Sequence, residues 1–202
     1  MPTVSAHVAL TLAQHVDHVF GVMGNGNAYF LDAIEAQTDA VFTAVRHEQG
    51  GAYMADVYGR LTGHAGVCLG TLGPGALNLV TAVADAYLDR APLVALTGQG
   101  DLERMHKESH QYIDLLRVMR PITKWNARLS DPAIIPEVVR KAFKVAEGEK
   151  PGATHIELPE DVMAAPVDGA PLPRHRVEAP EPQARELLRA AEIIRGAVKP
   201  VA

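Results

Sequence analysis

Residues 67–97 read VCLGTLGPGALNLVTAVADAYLDRAPLVALT, and this stretch decides the fold class. Val67 to Thr71 and Leu93 to Thr97 are short β-prone runs with almost no polar alternation. Between them Gly73-Pro74-Gly75 marks a turn, Ala76 to Leu88 carries a helical pattern, and Arg90-Ala91-Pro92 stops it. Strands without a polar face, joined by helices, suit a parallel sheet covered on both sides. The same alternation extends upstream. Ser5 caps a helix running to about His15 with Val8, Leu12 and Val16 on one stripe. His18 to Met23 then reads as a strand, Gly24-Asn25-Gly26-Asn27 as a turn, and Tyr29, Phe30, Ala33, Ile34 and Gln37 follow at helical spacing. Ala40 to Val45 is the next strand, His47 to Gly51 a turn, and Ala52 to Leu61 a helix stopped by Gly63. Downstream, an irregular stretch from Gln99 to Pro121 precedes a helix over Pro132 to Ala146 and a strand over Thr154 to Leu158. The expected fold is a doubly wound parallel α/β sheet with helices on both faces.

This reading assigns residues 1–165 to one domain. Pro166, Pro171, Pro173, Pro180 and Pro182 mark 166–182 as an extended linker. Ala184 to Val198 places Leu187, Leu188, Ala191, Ile194 and Val198 on one face, so residues 183–202 are expected to be the start of a truncated middle domain. The chain has 202 residues, 48% of them hydrophobic and 21% charged, with a net charge of −5. No dense Lys/Arg run exists, which argues against nucleic acid as a partner. No apolar stretch approaches the roughly 20 residues of a bilayer span. Without the marks of a signal peptide at its start, the chain is expected in the cytoplasm. Cys68, the sole cysteine, reads as core filler.

In an open parallel sheet, ligands sit beyond the carboxyl ends of the strands, and three glycine turns occupy that position. Gly24-Asn25-Gly26 begins like a dinucleotide fingerprint, but Tyr29 stands where the third glycine belongs. A tight turn is the plainer account. Glu48 follows a strand and precedes a Gly-Gly pair, where a carboxylate faces the ligand crevice; it can equally serve as a favourable charge at a helix start. Gly73-Pro74-Gly75 can be no more than a rigid turn. His106 and His110 stand four apart, a metal-ligand spacing on a helix, yet Glu108 lies between them in H-K-E-S-H order and no third ligand is evident.

Taken together, Arg46 to Ala52, Gly73 to Asn78, Ala84-Asp85-Ala86-Tyr87, Pro92-Leu93-Val94 and Thr97-Gly98-Gln99 resemble the pyrimidine-binding domain of thiamine-diphosphate enzymes. The acetolactate synthase branch is the most similar. His110 to Asp114 and Pro121 to Trp125 match as well, with Gln111 thirteen places before Lys124. Resemblance runs from about Val4 to Pro166.

The resemblance implies a transferase that decarboxylates a 2-ketoacid such as pyruvate and passes the acyl carbanion equivalent to a second carbonyl. A related decarboxylase, aldehyde lyase or acetyltransferase is the alternative within the family. A non-catalytic flavodoxin-like binding module is the alternative outside it. By the same resemblance Glu48 is the catalytic residue, bonded to the pyrimidine N1′ so that the cofactor's own amino group can accept the thiazolium proton. Gly24, Asn25, Pro74, Gly75 and Asn78 are implied as further cofactor contacts, and His110 and Gln111 as substrate contacts. The loop Met23-Gly24-Asn25-Gly26-Asn27 departs from the family's Pro-Gly-Gly. His110 stands where biosynthetic relatives usually carry Phe and fermentative ones often His. The diphosphate and its Mg²⁺ would be held by a separate domain with a Gly-Asp-Gly…Asn motif, which these residues lack, so the chain alone is expected to be inactive. A homodimer or homotetramer is implied, with the site formed against the diphosphate domain of a second subunit; FAD is a further cofactor in some relatives.

Overall fold

The structure is a computed structural model that describes residues 1–107, 109–174 and 180–199. Glu108, residues 175–179 of the expected linker and residues 200–202 of the final segment lie outside the described residues. Six strands form one parallel sheet: β1 (His18–Gly21), β2 (Val41–Ala44), β3 (Gly66–Gly70), β4 (Leu93–Gln99), β5 (Trp125–Arg128) and β6 (Ala153–Pro159). Their order is β2-β1-β3-β4-β6-β5. Every residue of β3, β4 and β6 is buried, as runs without a polar face require.

Helices cover both faces, so the expected doubly wound α/β class holds. Alternate strand residues divide between them. Val67, Leu69, Val94, Leu96, Ile156 and Leu158 meet α1 (Val4–Leu12), α2 (Ala28–Gln37) and α7 (Ile135–Glu147). Cys68, Leu93, Ala95 and Ala153 meet α3 (Glu48–Thr62), the short α4 (Pro74–Leu77) and α5 (Val80–Leu88). Small residues let α3 lie close to the sheet. A Cβ on Gly66 would stand 2.1 Å from the carbonyl oxygen of Ala55, a backbone atom that cannot swing aside.

Several boundaries differ from the sequence reading for local reasons. Thr3, not Ser5, caps α1, its hydroxyl accepting from the Ala6 amide at 3.3 Å. His47 to Gly51 is the first turn of α3 rather than a separate turn, because the His47 ring nitrogen accepts from the Gln49 amide and starts the helix at Glu48. The helix expected over 76–88 breaks between α4 and α5. Strand β5 and the helices α6 (Leu115–Met119) and α8 (Glu160–Ala164) fall in stretches too short or too polar for periodicity to register.

The chain beyond α8 folds back on the domain. Thr3 bridges Pro166, and the Val167 amide donates to the carbonyl of Pro2 at 2.9 Å. Farther on, the Arg174 amide donates to Gln14 Oε1 at 3.1 Å, and its guanidinium meets His64 Nδ1 at 2.8 Å and Glu147 Oε1 at 3.5 Å. Helix α9 (Ala184–Gly196) buries none of its residues, and Leu187, Leu188, Ile193 and Ile194 are more than half exposed.

Three histidines, His7, His15 and His155, are buried, and two of them carry shifted pKa values. The His15 ring stacks on Phe143 at 4.0 Å with neither nitrogen partnered among the described residues. Burial first, then Arg174 and His64, pushes its pKa down to about 4. His155 Nε2 shares a 2.8 Å hydrogen bond with Thr97, and burial pushes its pKa down to about 3. Both are neutral at pH 7. Below the ordinary value of 6.5, the unfolded chain takes up protons that the folded chain refuses, so stability rises with pH across this window. Urea midpoints are expected to fall as pH drops from 6.5 towards 4, and His15→Leu to flatten that decline. Gly66→Ala is expected to cost about 1–3 kcal/mol at neutral pH in the same measurement.

Candidate active site

The connections out of β1 and β3 run in opposite directions along the sheet, and this switch point opens a crevice at the carboxyl edge. One wall is the loop after β1. There Asn27 Oδ1 accepts from the Gly24 amide at 2.9 Å while its Nδ2 donates to the Val22 carbonyl at 3.1 Å. That side chain ties the loop into a compact turn. The loop lies directly on Thr71, the first residue after β3: a Cβ on Gly24 would stand 2.7 Å from the Thr71 hydroxyl oxygen. Thr71 Oγ1 is itself buried, with no hydrogen-bond partner among the described residues.

Glu48 is the first residue of α3, 8% exposed, where the helix's unpaired amides favour a negative charge. Its Oε2 accepts a 2.9 Å hydrogen bond from Asn78 Nδ2, at the end of α4. The other oxygen lies beside Gly75, where an added Cβ would come within 3.0 Å of Oε1 and 2.7 Å of Thr71 Cγ2. Pro74 opens α4 and is exposed. The structure thus brings Glu48, Gly75 and Asn78 into one cluster, and Thr71 joins that cluster to Gly24.

Beyond Thr71 the crevice widens to a cavity of about 480 Å³. Gly24, Asn25 and Thr71 line it on one side, and Arg104, His110, Gln111 and Glu160 on the other. His110 and Gln111 therefore share a cavity with Gly24 and Asn25, whereas Glu48 and Asn78 stand behind Thr71. The sequence reading missed Thr71, Arg104 and Glu160. For Thr71 a signal existed, since it directly follows a buried strand in a parallel sheet. His106 lies in a turn past a short 3₁₀ segment, so helical spacing does not relate it to His110. Among the described residues no group of three or more His, Cys, Asp or Glu side chains is placed to hold a metal ion. Likewise, no helix of the described residues is long and apolar enough to cross a membrane.

Below the cavity, three polar side chains meet inside the sheet. Gln99 Nε2 donates to Glu157 Oε1 at 2.9 Å and to the Ile113 carbonyl at 3.1 Å. Arg128 Nε pairs with Glu157 Oε2. Burial opposes the Arg128 charge, and the bond to Glu157 outweighs it and holds the guanidinium above its usual pKa.

Comparison with known proteins places this arrangement. The family model described as thiamine pyrophosphate enzyme, N-terminal TPP binding domain, matches residues 2–118. The chain belongs to this family. Among its relatives, the "Probable acetolactate synthase large subunit" of Methanocaldococcus jannaschii is 44% identical over 156 residues, covering 77% of this chain and 26% of that protein. The acetolactate synthase large subunit of Corynebacterium glutamicum is 37% identical over 192 residues, 93% of this chain and 30% of the relative. Acetolactate synthase 1, chloroplastic, of Zea mays is 39% identical over 178 residues, 86% and 28% of the two chains. This thiamine pyrophosphate enzyme domain is acetolactate synthase-like and spans about a quarter to a third of the length of these relatives. Among the readings that the sequence left open, the family match selects the one dependent on thiamine diphosphate.

The Asn78–Glu48 hydrogen bond joins an uncharged donor to a nearly buried carboxylate. Asn78→Ala is expected to lower the unfolding free energy by about 1–3 kcal/mol, read from urea denaturation.

Proposed function

We propose that this domain is the cofactor-activating part of an enzyme that decarboxylates a 2-ketoacid, pyruvate foremost, and transfers the two-carbon fragment to a second carbonyl compound. The observation that carries the reading is the Glu48 carboxyl: nearly buried, fixed at one oxygen by Asn78, and set with its other oxygen against the backbone of Gly75. Thiamine diphosphate, when bound, supplies a carbon nucleophile that adds to the ketoacid and holds the electron pair released with carbon dioxide.

The residues present fit its pyrimidine ring. A flat heterocycle needs a wall without side chains and a polar group at its edge, and Gly75 and Glu48 offer these side by side. The partnerless Thr71 hydroxyl adds a donor at the junction with the cavity. Glu48 Oε1 would hold or pass a proton at the ring nitrogen. Asn78 fixes the carboxyl rotamer, and the backbones of Gly24, Asn25 and Pro74 complete the cofactor's surroundings. His110 and Gln111, both exposed at the cavity, would contact the ketoacid there.

The rest of the enzyme belongs to the same proposal. Residues 1–165 form the pyrimidine-binding domain, 166–182 the linker, and 183–202 part of a second folding unit, since the apolar side of α9 is exposed here. The diphosphate, with Mg²⁺, would bind a domain of another subunit in a homodimer or homotetramer. Supporting that contact, Met54, Val57 and Leu61 share one exposed face of α3 that runs away from Glu48, and Leu77 and Leu88 of α4 and α5 are exposed as well. FAD would belong to the middle domain.

In the complete enzyme, Glu48→Gln is expected to lower turnover with pyruvate by about 10²- to 10⁴-fold, the usual loss when a positioned proton-transfer group is removed. Acetolactate formation and the thiamine-diphosphate activation curve are the measurements. Undiminished turnover with an unchanged curve would overturn the role of Glu48. Acetaldehyde or acetyl phosphate as the main product would move the reaction to a decarboxylase or an acetyltransferase.

A further inference from the structure

We propose that Gln99, oriented by Glu157 and Arg128, is the positioning residue that sets the His110–Gln111 loop over the cavity. The proposal rests on the reading of that loop as the substrate wall.

Gln99 closes β4 and Glu157 lies one strand away in β6, and both side chains are completely buried. A carboxylate without exposure is costly unless paired, and this one is paired twice: Arg128 of β5 engages Oε2, and the Gln99 amide engages Oε1. The charge pair therefore fixes which way the Gln99 amide faces. With its NH₂ committed to Glu157, the same nitrogen reaches the Ile113 carbonyl, and Gln99 Oε1 accepts from the Gly100 amide at 3.0 Å. The Ile113 end of this connection is thus tied to the Gln99 side chain, whose amide orientation is fixed at its other end by the neighbouring Gly100 amide.

A second contact determines where the loop lands. Gln111 adopts a left-handed backbone, φ 58°, a conformation that a residue with a Cβ takes up only under restraint. Its carbonyl lies against Gly73, where a Cβ would come within 2.4 Å of that oxygen. The loop is pressed onto the turn that leads to Gly75 and held there at the expense of backbone strain. Surrounding structure must impose such a conformation, and the Gln99 bond to Ile113, two residues further on, is the restraint in place to do so. Without that bond, Gln111 can relax away from Gly73 and carry His110 with it.

The test is made on the complete enzyme with Gln99→Leu, which keeps the bulk and removes both tethers, and Glu157→Gln, which keeps an acceptor for the Gln99 amide. Amide hydrogen exchange is followed for residues 109–113 and, as an internal control, for 94–97 and 154–156. KM for pyruvate and the thiamine-diphosphate activation constant are measured alongside. For Gln99→Leu, exchange at 109–113 should accelerate about tenfold with the control strands unchanged, as when a local tether is lost. KM should rise about ten- to a hundredfold, with a smaller change in kcat and none in cofactor activation. Glu157→Gln, which breaks the charge pair that orients the Gln99 amide, should move both readouts in the same direction as Gln99→Leu by a smaller factor. Unchanged exchange at 109–113, or equal acceleration in the control strands, would overturn the proposal. If Gln99→Leu does not accumulate folded, Gln99→Asn, whose amide cannot reach Ile113, carries the same readouts. Accelerated loop exchange together with unchanged KM, and a kinetically silent Gln111→Ala, would uphold the tether while removing the loop from the substrate site.

Discussion

A parallel sheet sheathed on both faces can meet a ligand only at its ends, and that restriction organises this molecule. Strands β3, β4 and β6 present no face to water, so every group available for chemistry has to come from the loops that leave their carboxyl ends. Those loops converge because the chain reverses direction between β1 and β3. Thr71 occupies the meeting point, touching the space beside Gly24, the backbone of Gly75 and, through Gly75, the carboxyl of Glu48. Small residues are required where these segments cross. Close backbone approach here replaces the side-chain packing that holds the rest of the core.

The division of labour across that edge follows from the same geometry. Glu48 and Asn78 lie on the α3 and α4 side, hydrogen-bonded to each other at the helix ends, with the Glu48 carboxyl nearly buried. His110, Gln111, Arg104 and Glu160 lie on the far side of Thr71, around a cavity wide enough for a small acid. Polar groups are buried beneath it only where they are matched. Gln99, Glu157 and Arg128 satisfy one another across three adjacent strands, while His155 keeps its neutral form beside Thr97.

Much of this was legible in the sequence, for physical reasons that also explain what was not. Runs such as Val67 to Thr71 and Leu93 to Thr97 can only be doubly covered strands, and each glycine turn after them was placed at the ligand edge by that fact alone. Glu48 drew notice because its position relative to strand and glycine pair is local, but only the family resemblance gave it a role beyond a favourable charge at a helix start. Strand β5 escaped because an edge strand of half-exposed residues carries no apolar signature. Arg104 and Glu160 escaped because they become neighbours only when loops far apart in the chain converge. Glu157 was absorbed into a strand pattern. Nothing nearby in sequence reveals that its partner is an arginine from the next strand over.

The back-folded segment after α8 has a consequence of its own. Because Val167 pairs with Pro2, and Pro166 with Thr3, the residue that caps α1 and the segment just after α8 meet in one seam. Since α1 runs from that seam back along the sheet to Leu12, just ahead of β1, the seam lies at the carboxyl end of the strands. It is close in the chain to Glu160 of the cavity wall, so a disturbance there reaches the same edge as the candidate site.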